Sequence, residues 1–174
     1  MTLKFDNNTK SDMTRSFLSF KLSNEHFAIN VMKIMEILEV PKITKVPHAP
    51  AYLVGVVNLR GGVLPVIDTR IKFSLEPTEF TVNTCIVVLN ITINDESTIV
   101  GAMVDSVSEV FEIEENQIQP SPTIGKRYQA DFIQGMIKEK DQFMMLLDID
   151  KVFTSHELES IIDTKADALV AETH

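Results

Sequence analysis

Residues Gly55–Asp68 constrain the fold of this chain more than any other segment. Two apolar, β-branched runs, Gly55–Leu59 and Val63–Ile67, flank the short segment Arg60–Gly62. Apolar strands joined by a glycine-containing turn are the signature of a β-hairpin. Pro65 has no backbone N–H, so its amide position is expected to face a sheet edge or a bulge. The pattern predicts a chain built mainly from β-strands.

The same pattern occurs again at Gly135–Asp148, over the same number of residues. Another pair of segments, Ala28–Ile37 and Gly101–Val110, shares a small residue, a valine and a glutamate at matching positions. Loose period-2 patterns can match by chance, but the common order favours an internal duplication. Two small barrels built this way would meet at an apolar interface lined by the Val-x-x-Ile/Val segments. An exposed groove there would be typical of a protein-binding site.

Apolar alternation also predicts the remaining strands and a short final helix. Val31–Ile37 is ambiguous, because it also fits a short helical stripe. Thr154–Glu157 has the form of a capping box, so a short C-terminal helix is expected to dock on the body. Residues 1–15 are expected to form a mobile arm, Pro120–Pro122 to interrupt the strands, and 165–174 to fray. The other predicted strands cover residues 17–22, 27–31, 85–93 and 98–110, followed by a hairpin over 132–148.

Charge and cysteine content exclude several classes of function. The net charge is −9 and the basic residues are scattered, which disfavours binding to nucleic acid or to anionic membranes. No run approaches the roughly 20 apolar residues of a membrane span, and no signal peptide is recognisable. A cytoplasmic location is therefore expected. The single cysteine, Cys85, is interpreted as a small apolar residue of a strand.

The residues of a catalytic centre do not occur together. No histidine stands at metal-ligand spacing from another histidine or cysteine, and no nucleotide-binding or hydrolase motif is present. Asp68, Asp105, Asp148 and Asp150 lie at predicted strand ends, where acid–base work is conceivable but turn capping is more common. The sequence predicts a protein that is not an enzyme and needs no cofactor or metal.

Glu36 and Arg60 each lie in a predominantly apolar stretch. A charge in such a place must find a partner or remain at the surface. The two residues are either an ion pair that fixes a binding edge or two unrelated solvated side chains.

The motifs assembled so far lie in six segments: Phe17–Phe20, Met35–Ile37, Gly55–Gly61, Leu64–Asp68, Val100–Val110 and Leu147–Lys151. Taken together, these motifs resemble the CheW family of bacterial chemotaxis. They occur in order across residues 16–153, nearly the whole predicted folded part. The resemblance implies a mainly β fold of two five-stranded, Src-homology-like barrels, at about 16–80 and 81–153, packed around a shared apolar core. Residues 154–174 would supply the C-terminal helix and tail.

The resemblance also implies a function. Family members are adaptors without enzymatic activity that join the cytoplasmic tips of chemoreceptors to the regulatory domain of the histidine kinase CheA. Further adaptor copies in array rings are implied as partners, whereas nucleic acid and membrane insertion are not. The expected location is the cytoplasm, with recruitment to membrane-associated receptor arrays. Alternatives are the same coupling role in twitching or developmental pathways, a receiver-linked coupling protein, and an isolated regulatory domain of the kinase.

Individual roles carry over from the family by position. Glu36 and Arg60 are expected to form a structural pair that shapes the partner-facing surface. Ser106 stands where some relatives have glycine, and residues 94–97 lengthen one turn. The receptor-binding groove is expected to contain Leu18, Val31, Ile34, Ile37, Val104 and Val107. Coupling to kinase or receptor is expected of Glu36, Gly55, Asn58, Arg60, Gly61, Gly101 and Val110.

Overall fold

The computed structural model describes residues 14–120, 132–139, 141–154, 156–157 and 159–163. The predicted break at Pro120–Pro122 and the frayed end at 165–174 lie outside these residues, apart from Pro120. Most of the predicted N-terminal arm also lies outside them. Thr14 and Arg15, which were assigned to that arm, already belong to the first strand.

Ten strands account for most of the described chain. A short helix, α1, covers Thr69–Lys72, and single 3-10 turns cover Val31–Lys33, Glu115–Gln117 and Ile149–Lys151. Residues 156–157 and 159–163 are helical and are called the C-terminal helix below. The strands are β1 (Thr14–Leu22), β2 (Glu25–Asn30), β3 (Ile34–Glu39), β4 (Leu53–Leu59), β5 (Gly62–Asp68), β6 (Cys85–Ile93), β7 (Glu96–Val104), β8 (Ser106–Glu114), β9 (Ile133–Glu139) and β10 (Gln142–Leu147).

The strands form two five-stranded sheets, which confirms the predicted fold class. The first sheet has the order β8-β1-β2-β10-β9, and the second has the order β3-β6-β7-β5-β4. In each sheet one inner pair is parallel, β2 with β10 and β5 with β7, and the other pairs are antiparallel. The two sheets therefore have equivalent topologies.

The predicted boundary at about residue 80 separates the two repeats but not the two sheets. The first sheet takes β1 and β2 from the first repeat and β8, β9 and β10 from the second. The second sheet takes the complementary set. The prediction that each half forms its own barrel is therefore wrong. The repeats exchange strands, so neither sheet is complete without both halves of the chain.

The register of the parallel pairs supports the predicted duplication. Ala28 pairs with Leu146 in the first sheet, and Gly101 pairs with Val66 in the second. These are the residues that the two sequence alignments place in equivalent positions. The bulges match as well. The register shifts between Leu53 and Gly55 of β4 in the second sheet, and between Ile133 and Gly135 of β9 in the first.

Two segments differ from the pattern expected of them. Val31–Ile37 combines both interpretations, because a 3-10 turn leads directly into β3. The single strand expected over 98–110 is broken at Asp105, which separates β7 from β8. The backbone N–H of Asp105 donates to the carbonyl of Lys21 at 3.1 Å, which leads the chain from the second sheet to the first. That contact is distant in sequence, so apolar alternation could not reveal the break.

Alternation along the strands divides the buried side chains among three apolar clusters. Ala28 belongs to the interior of the first sheet, whereas its neighbour Ile29 belongs to a central cluster shared by both sheets. Ile86 and Val87 divide in the same way between the interior of the second sheet and the central cluster. The end strands β8 and β9 contribute to one interior, and β3 and β4 to the other, so each sheet curves around its own cluster.

The C-terminal helix docks on the central cluster as predicted. Ile161 is fully buried there. The Thr154 hydroxyl accepts the N–H of Glu157 at 3.1 Å, and the Glu157 carboxylate accepts the N–H of Thr154 at 3.1 Å. These reciprocal bonds are the predicted capping box. Lys72 of α1 pairs with Glu157 and lies over the ring of Phe153, which ties the helix to the body.

Candidate partner-binding surface

The turn between β4 and β5 presents Arg60 at the surface. Arg60 and Gly61 both have positive φ, 51° and 82°, which is the geometry of a two-residue type I′ turn. The Asn58 side chain accepts the N–H of Gly61 at 3.0 Å and fixes this geometry. The turn was predictable because its chemistry is local to these residues.

Arg60 and Glu36 form an ion pair, which decides between the two interpretations of these charges. The guanidinium donates to Glu36 Oε2 at 2.5 Å. Glu36 lies on β3 and Arg60 follows β4, the two end strands of the second sheet. The pair therefore joins the two ends of the curved sheet. The Arg60 side chain is 78% exposed and that of Glu36 is 22% exposed.

The second oxygen of Glu36 adds an unusual feature. Oε1 is buried and accepts no hydrogen bond from the described residues. A buried carboxylate oxygen that accepts no hydrogen bond destabilises the folded state, and the ion pair with Arg60 offsets the cost of burying the Glu36 side chain.

Exposed apolar side chains lie on the same edge of the second sheet. Met32, Met35 and Ile37 are 69%, 55% and 38% exposed. Alternation along β3 directs Ile37 and Glu36 to opposite faces, and Met35 lies at the bulge between Ile34 and Glu36. Exposed apolar groups beside a charged pair are typical of a protein-binding surface. Sequence reasoning did not assign a binding role to Met32 or Met35, although both lie in the segment recognised as ambiguous.

The six residues predicted for the groove separate into core and surface. Leu18, Val31 and Val104 are buried in the central cluster and are not available to a partner. Period-2 patterning marks a residue as inward-facing but does not distinguish the floor of a groove from a closed core. For these three residues the prediction of groove contact is therefore corrected to a core position.

The other three predicted groove residues lie at or near the surface. Ile34 and Val107 are half-buried against the central cluster, and Ile37 is exposed. The Cys85 thiol interacts with the Val107 backbone, which places the edge of β6 beside β8 at the junction of the two sheets. Burial raises the pKa of the Cys85 thiol, and the hydrogen bond with Val107 opposes that rise. Cys85 is half-buried rather than fully enclosed.

Gly55 and Gly101, which are predicted to couple to partners, both occupy tightly packed positions in the second sheet. A Cβ on Gly55 would lie 2.3 Å from the carbonyl oxygen of Thr44. One on Gly101 would lie 2.7 Å from the side chain of Ile86. Both glycines are buried. Their expected part in coupling would therefore act through the packing of the second sheet, and it stays a prediction.

The remaining predicted coupling residues lie in two places. Glu36, Asn58, Arg60 and Gly61 lie together at the joined ends of the second sheet. Val110 is 40% exposed on β8, an end strand of the first sheet. The structure brings four of the seven coupling residues together and leaves Val110 on the other sheet.

The strand-end aspartates have structural partners. Asp68 accepts the N–H of Arg70 at 3.0 Å, and Asp148 accepts that of Asp150 at 3.2 Å, so both cap the turns that follow. Asp105 and Asp150 are held in ion pairs. Capping, rather than acid–base chemistry, therefore accounts for the aspartates at positions 68 and 148.

Neither a metal-binding cluster nor a membrane-spanning helix occurs in the residues that the structure describes. No group of three or more histidine, cysteine, aspartate or glutamate side chains within them could hold a metal ion. Over the same ranges, no helix has the length and apolar character needed to cross a bilayer.

Two curved sheets with an exposed charged turn beside apolar side chains define a protein-interaction module.

Comparisons with known proteins place this module in a family. A family model described as the CheW-like domain matches residues 16–157. The chain is 34% identical over 146 residues to the chemotaxis protein CheW of Rhizobium meliloti, covering 84% of this chain and 92% of that protein. It is 32% identical over 152 residues to the chemotaxis protein CheW of Klebsiella aerogenes, covering 87% and 89%. The chain belongs to the CheW-like domain family.

A solved structure agrees with this assignment. The scaffolding protein TtCheW from Thermoanaerobacter tengcongensis matches with a TM-score of 0.71 and 27% sequence identity. The match covers 83% of this chain and 96% of that protein. The strand arrangement described above is thus similar to that of a scaffolding protein.

Proposed function

We propose that this chain is an adaptor without enzymatic activity that couples the cytoplasmic tips of chemoreceptors to the histidine kinase CheA. Its partners would be the regulatory domain of the kinase, the receptor tips and other copies of the adaptor in array rings. Its place would be the cytoplasm, beside membrane-associated receptor arrays. The relatives named as chemotaxis proteins and the structural match to a scaffolding protein support this proposal.

The Glu36–Arg60 pair is the observation that carries the proposal. Arg60 is held by Glu36 through one guanidinium nitrogen, while most of its side chain remains exposed. A guanidinium has five N–H donors, so the others are free to bind carboxylates or carbonyls of a partner. The same residue can therefore shape the surface and contact the partner. The exposed Met32, Met35 and Ile37 would supply the apolar part of the contact.

The half-buried residues Ile34 and Val107 would line the receptor contact with Ile37. They lie at the edge of the central cluster, where the two sheets meet. A helical receptor tip packing there would cover apolar side chains that the adaptor alone leaves partly exposed.

Titration of the chain with the kinase regulatory domain and, separately, with soluble receptor tips tests the proposal. Specific binding to both is expected. Arg60→Ala should weaken kinase binding at least about tenfold, since arginine anchors at interfaces often contribute 2 kcal/mol or more. It should lower the free energy of unfolding by about 1–3 kcal/mol, because the Glu36 carboxylate, only 22% exposed, loses its partner, so the comparison is made with variant protein shown to be folded.

Arg15→Ala is the matched control. Arg15 also forms an exposed ion pair, with Glu115 at 2.8 Å, but lies on the first sheet. This variant should bind both partners as the parent chain does. Binding of the parent chain to neither partner would refute the proposed function, and equal effects of the two arginine substitutions would refute the role of Arg60.

A further inference from the structure

Two ion pairs lie where the chain crosses between the sheets. At the β7–β8 crossing, Arg70 of α1 binds Asp105, with Nε donating to Oδ1 at 2.7 Å and Nη2 to Oδ2 at 2.5 Å. At the β2–β3 crossing, Lys33 Nζ donates to Asp150 Oδ2 at 2.6 Å. The hydrogen bond with Asp105 raises the pKa of Arg70 above its ordinary value, despite partial burial. An ion pair therefore lies at each of these two crossings between the sheets.

Each carboxylate also accepts a backbone N–H from the opposite sheet. Asp105 Oδ2 accepts the N–H of Ser23, in the β1–β2 turn of the first sheet, at 2.7 Å. Asp150 Oδ1 accepts the N–H of Thr92, on β6 of the second sheet, at 2.9 Å. A single side chain thus connects the end of one sheet to a hairpin of the other, at two separate places.

The two ion pairs, called bridges below, occupy equivalent places in the fold, but the positive and negative residues exchange places between them. Arg70 follows β5, and Asp150 occupies the equivalent place after β10. In one bridge the carboxylate lies at the crossing, and in the other it lies in the turn after the last strand. The same connection is thus made with two different sets of residues, which indicates that the connection itself matters to the structure.

Burial and geometry distinguish these pairs from an ordinary surface ion pair. The side chains of Arg70 and Asp105 are 18% and 20% exposed, and those of Lys33 and Asp150 are 35% and 27% exposed. The central apolar cluster holds the sheets together, but hydrophobic burial has no preferred direction. Charge-assisted hydrogen bonds have strict geometry, so they can select one relative orientation of the sheets.

We propose that Arg70–Asp105 and Lys33–Asp150 are positioning contacts that fix the relative orientation of the two sheets, so that both partner surfaces can be occupied together. The fixed orientation follows from the geometry alone, whereas its use in simultaneous binding rests on the proposed adaptor function. The experiment therefore has one readout that needs no partner and one that does.

The first readout is the distance between the sheets. Spin labels are attached to cysteines introduced at two exposed positions, Lys138 on β9 and Glu96 on β7, in a Cys85→Ser background. Double electron–electron resonance then measures the distribution of inter-label distances. The parent chain should give one narrow distribution.

Removing both bridges should widen that distribution. In the double variant Arg70→Met/Lys33→Met, its width is expected to increase at least about twofold, because both ion pairs are lost and Asp105 and Asp150 keep only their single bonds to the backbone of the opposite sheet. Arg15→Met, which breaks an ion pair between β1 and the turn after β8, is the matched control and should leave the width unchanged. An unchanged width in a folded double variant would overturn the proposal. If the double variant does not unfold cooperatively, the same distance measurement is made on Arg70→Lys, which keeps the positive charge but loses the two-point contact with Asp105. An unchanged distance distribution in Arg70→Lys would also overturn the proposal.

The second readout compares single and simultaneous binding. The double variant should bind the kinase regulatory domain and the receptor tip, each alone, within about twofold of the parent. Assembly of all three components should weaken at least about tenfold, since linked binding is lost when the geometry prevents simultaneous contact. An equal loss in single and ternary binding, or no loss in either, would overturn the positioning role. Failure of the parent chain to bind either partner would instead refute the proposed function, while the distance readout still decides whether the bridges fix the orientation.

Discussion

Gly55 offers a sharp test of how the second sheet is assembled. A Cβ at this position would lie 2.3 Å from the backbone oxygen of Thr44 and 2.7 Å from the side chain of Ile43. Backbone atoms cannot move aside as a flexible side chain can. Thr44 is also paired with Val56 through two hydrogen bonds of 2.8 Å, which cover the outer edge of β4. Gly55→Ala must therefore displace this segment or break its bonds.

The expected cost can be worked from these contacts. Two backbone hydrogen bonds contribute about 1 kcal/mol each, and forcing alanine into the positive-φ backbone of Gly55 adds roughly 1–3 kcal/mol. Gly55→Ala should lower the free energy of unfolding by about 3–5 kcal/mol, a large part of the stability of an ordinary domain. Denaturant titration followed by circular dichroism measures this change.

Gly62→Ala is the matched control in the same hairpin. A Cβ there would lie 3.4 Å from the carbonyl oxygen of Leu59, which is close to ordinary contact. Its cost should be below about 1 kcal/mol, as for most substitutions at exposed positions. Equal costs for the two glycines would refute the conclusion that close approach of residue 44 requires glycine at position 55.

The C-terminal helix gives two further predictions. Ile161→Ala should destabilise the fold by about 2–4 kcal/mol in thermal or chemical unfolding, because this side chain is fully buried in the central cluster. Ile162 is 38% exposed, so Ile162→Ala should cost less than about 1 kcal/mol. Similar costs for the two variants would contradict docking of the helix through the face that carries Ile161. Burial alone would raise the pKa of Glu157, but hydrogen bonds from Lys72 and Thr154 lower it below 4.5 overall. Its contribution to stability is therefore complete above about pH 4.5 and is lost as the pH falls through the lower folded-state pKa. Glu157→Gln should remove that part of the pH dependence of unfolding, and an unchanged profile below pH 4.5 would show that the ion pair does not contribute.

Features that depend on neighbouring residues could be predicted from the sequence. The β4–β5 turn depends on Arg60, Gly61 and the side chain of Asn58, all within one hairpin. The capping box beginning at Thr154 is equally local. The ion pair of Arg60 could be proposed but not decided, because its partner lies on another strand.

Features that depend on contacts distant in sequence could not be predicted. Strand exchange between the repeats follows from where the chain crosses between sheets, and one crossing is set by the contact of Asp105 with Lys21. The burial of Leu18, Val31 and Val104 depends on a cluster to which both sheets contribute. A periodic apolar pattern predicts which face of a strand is apolar, but it does not predict which other elements pack on that face. This limits the prediction of the binding surface more than any other factor.

The autophosphorylation of CheA in the presence of receptor membranes tests the adaptor function most directly. Adding this chain should raise kinase activity well above that of receptor and kinase alone, and adding Arg60→Ala should raise it much less. Arg15→Ala should act as the parent chain does. Kinase activity that does not respond to the parent chain, although the chain is folded and the receptors are intact, would contradict the proposal that it couples receptor to kinase.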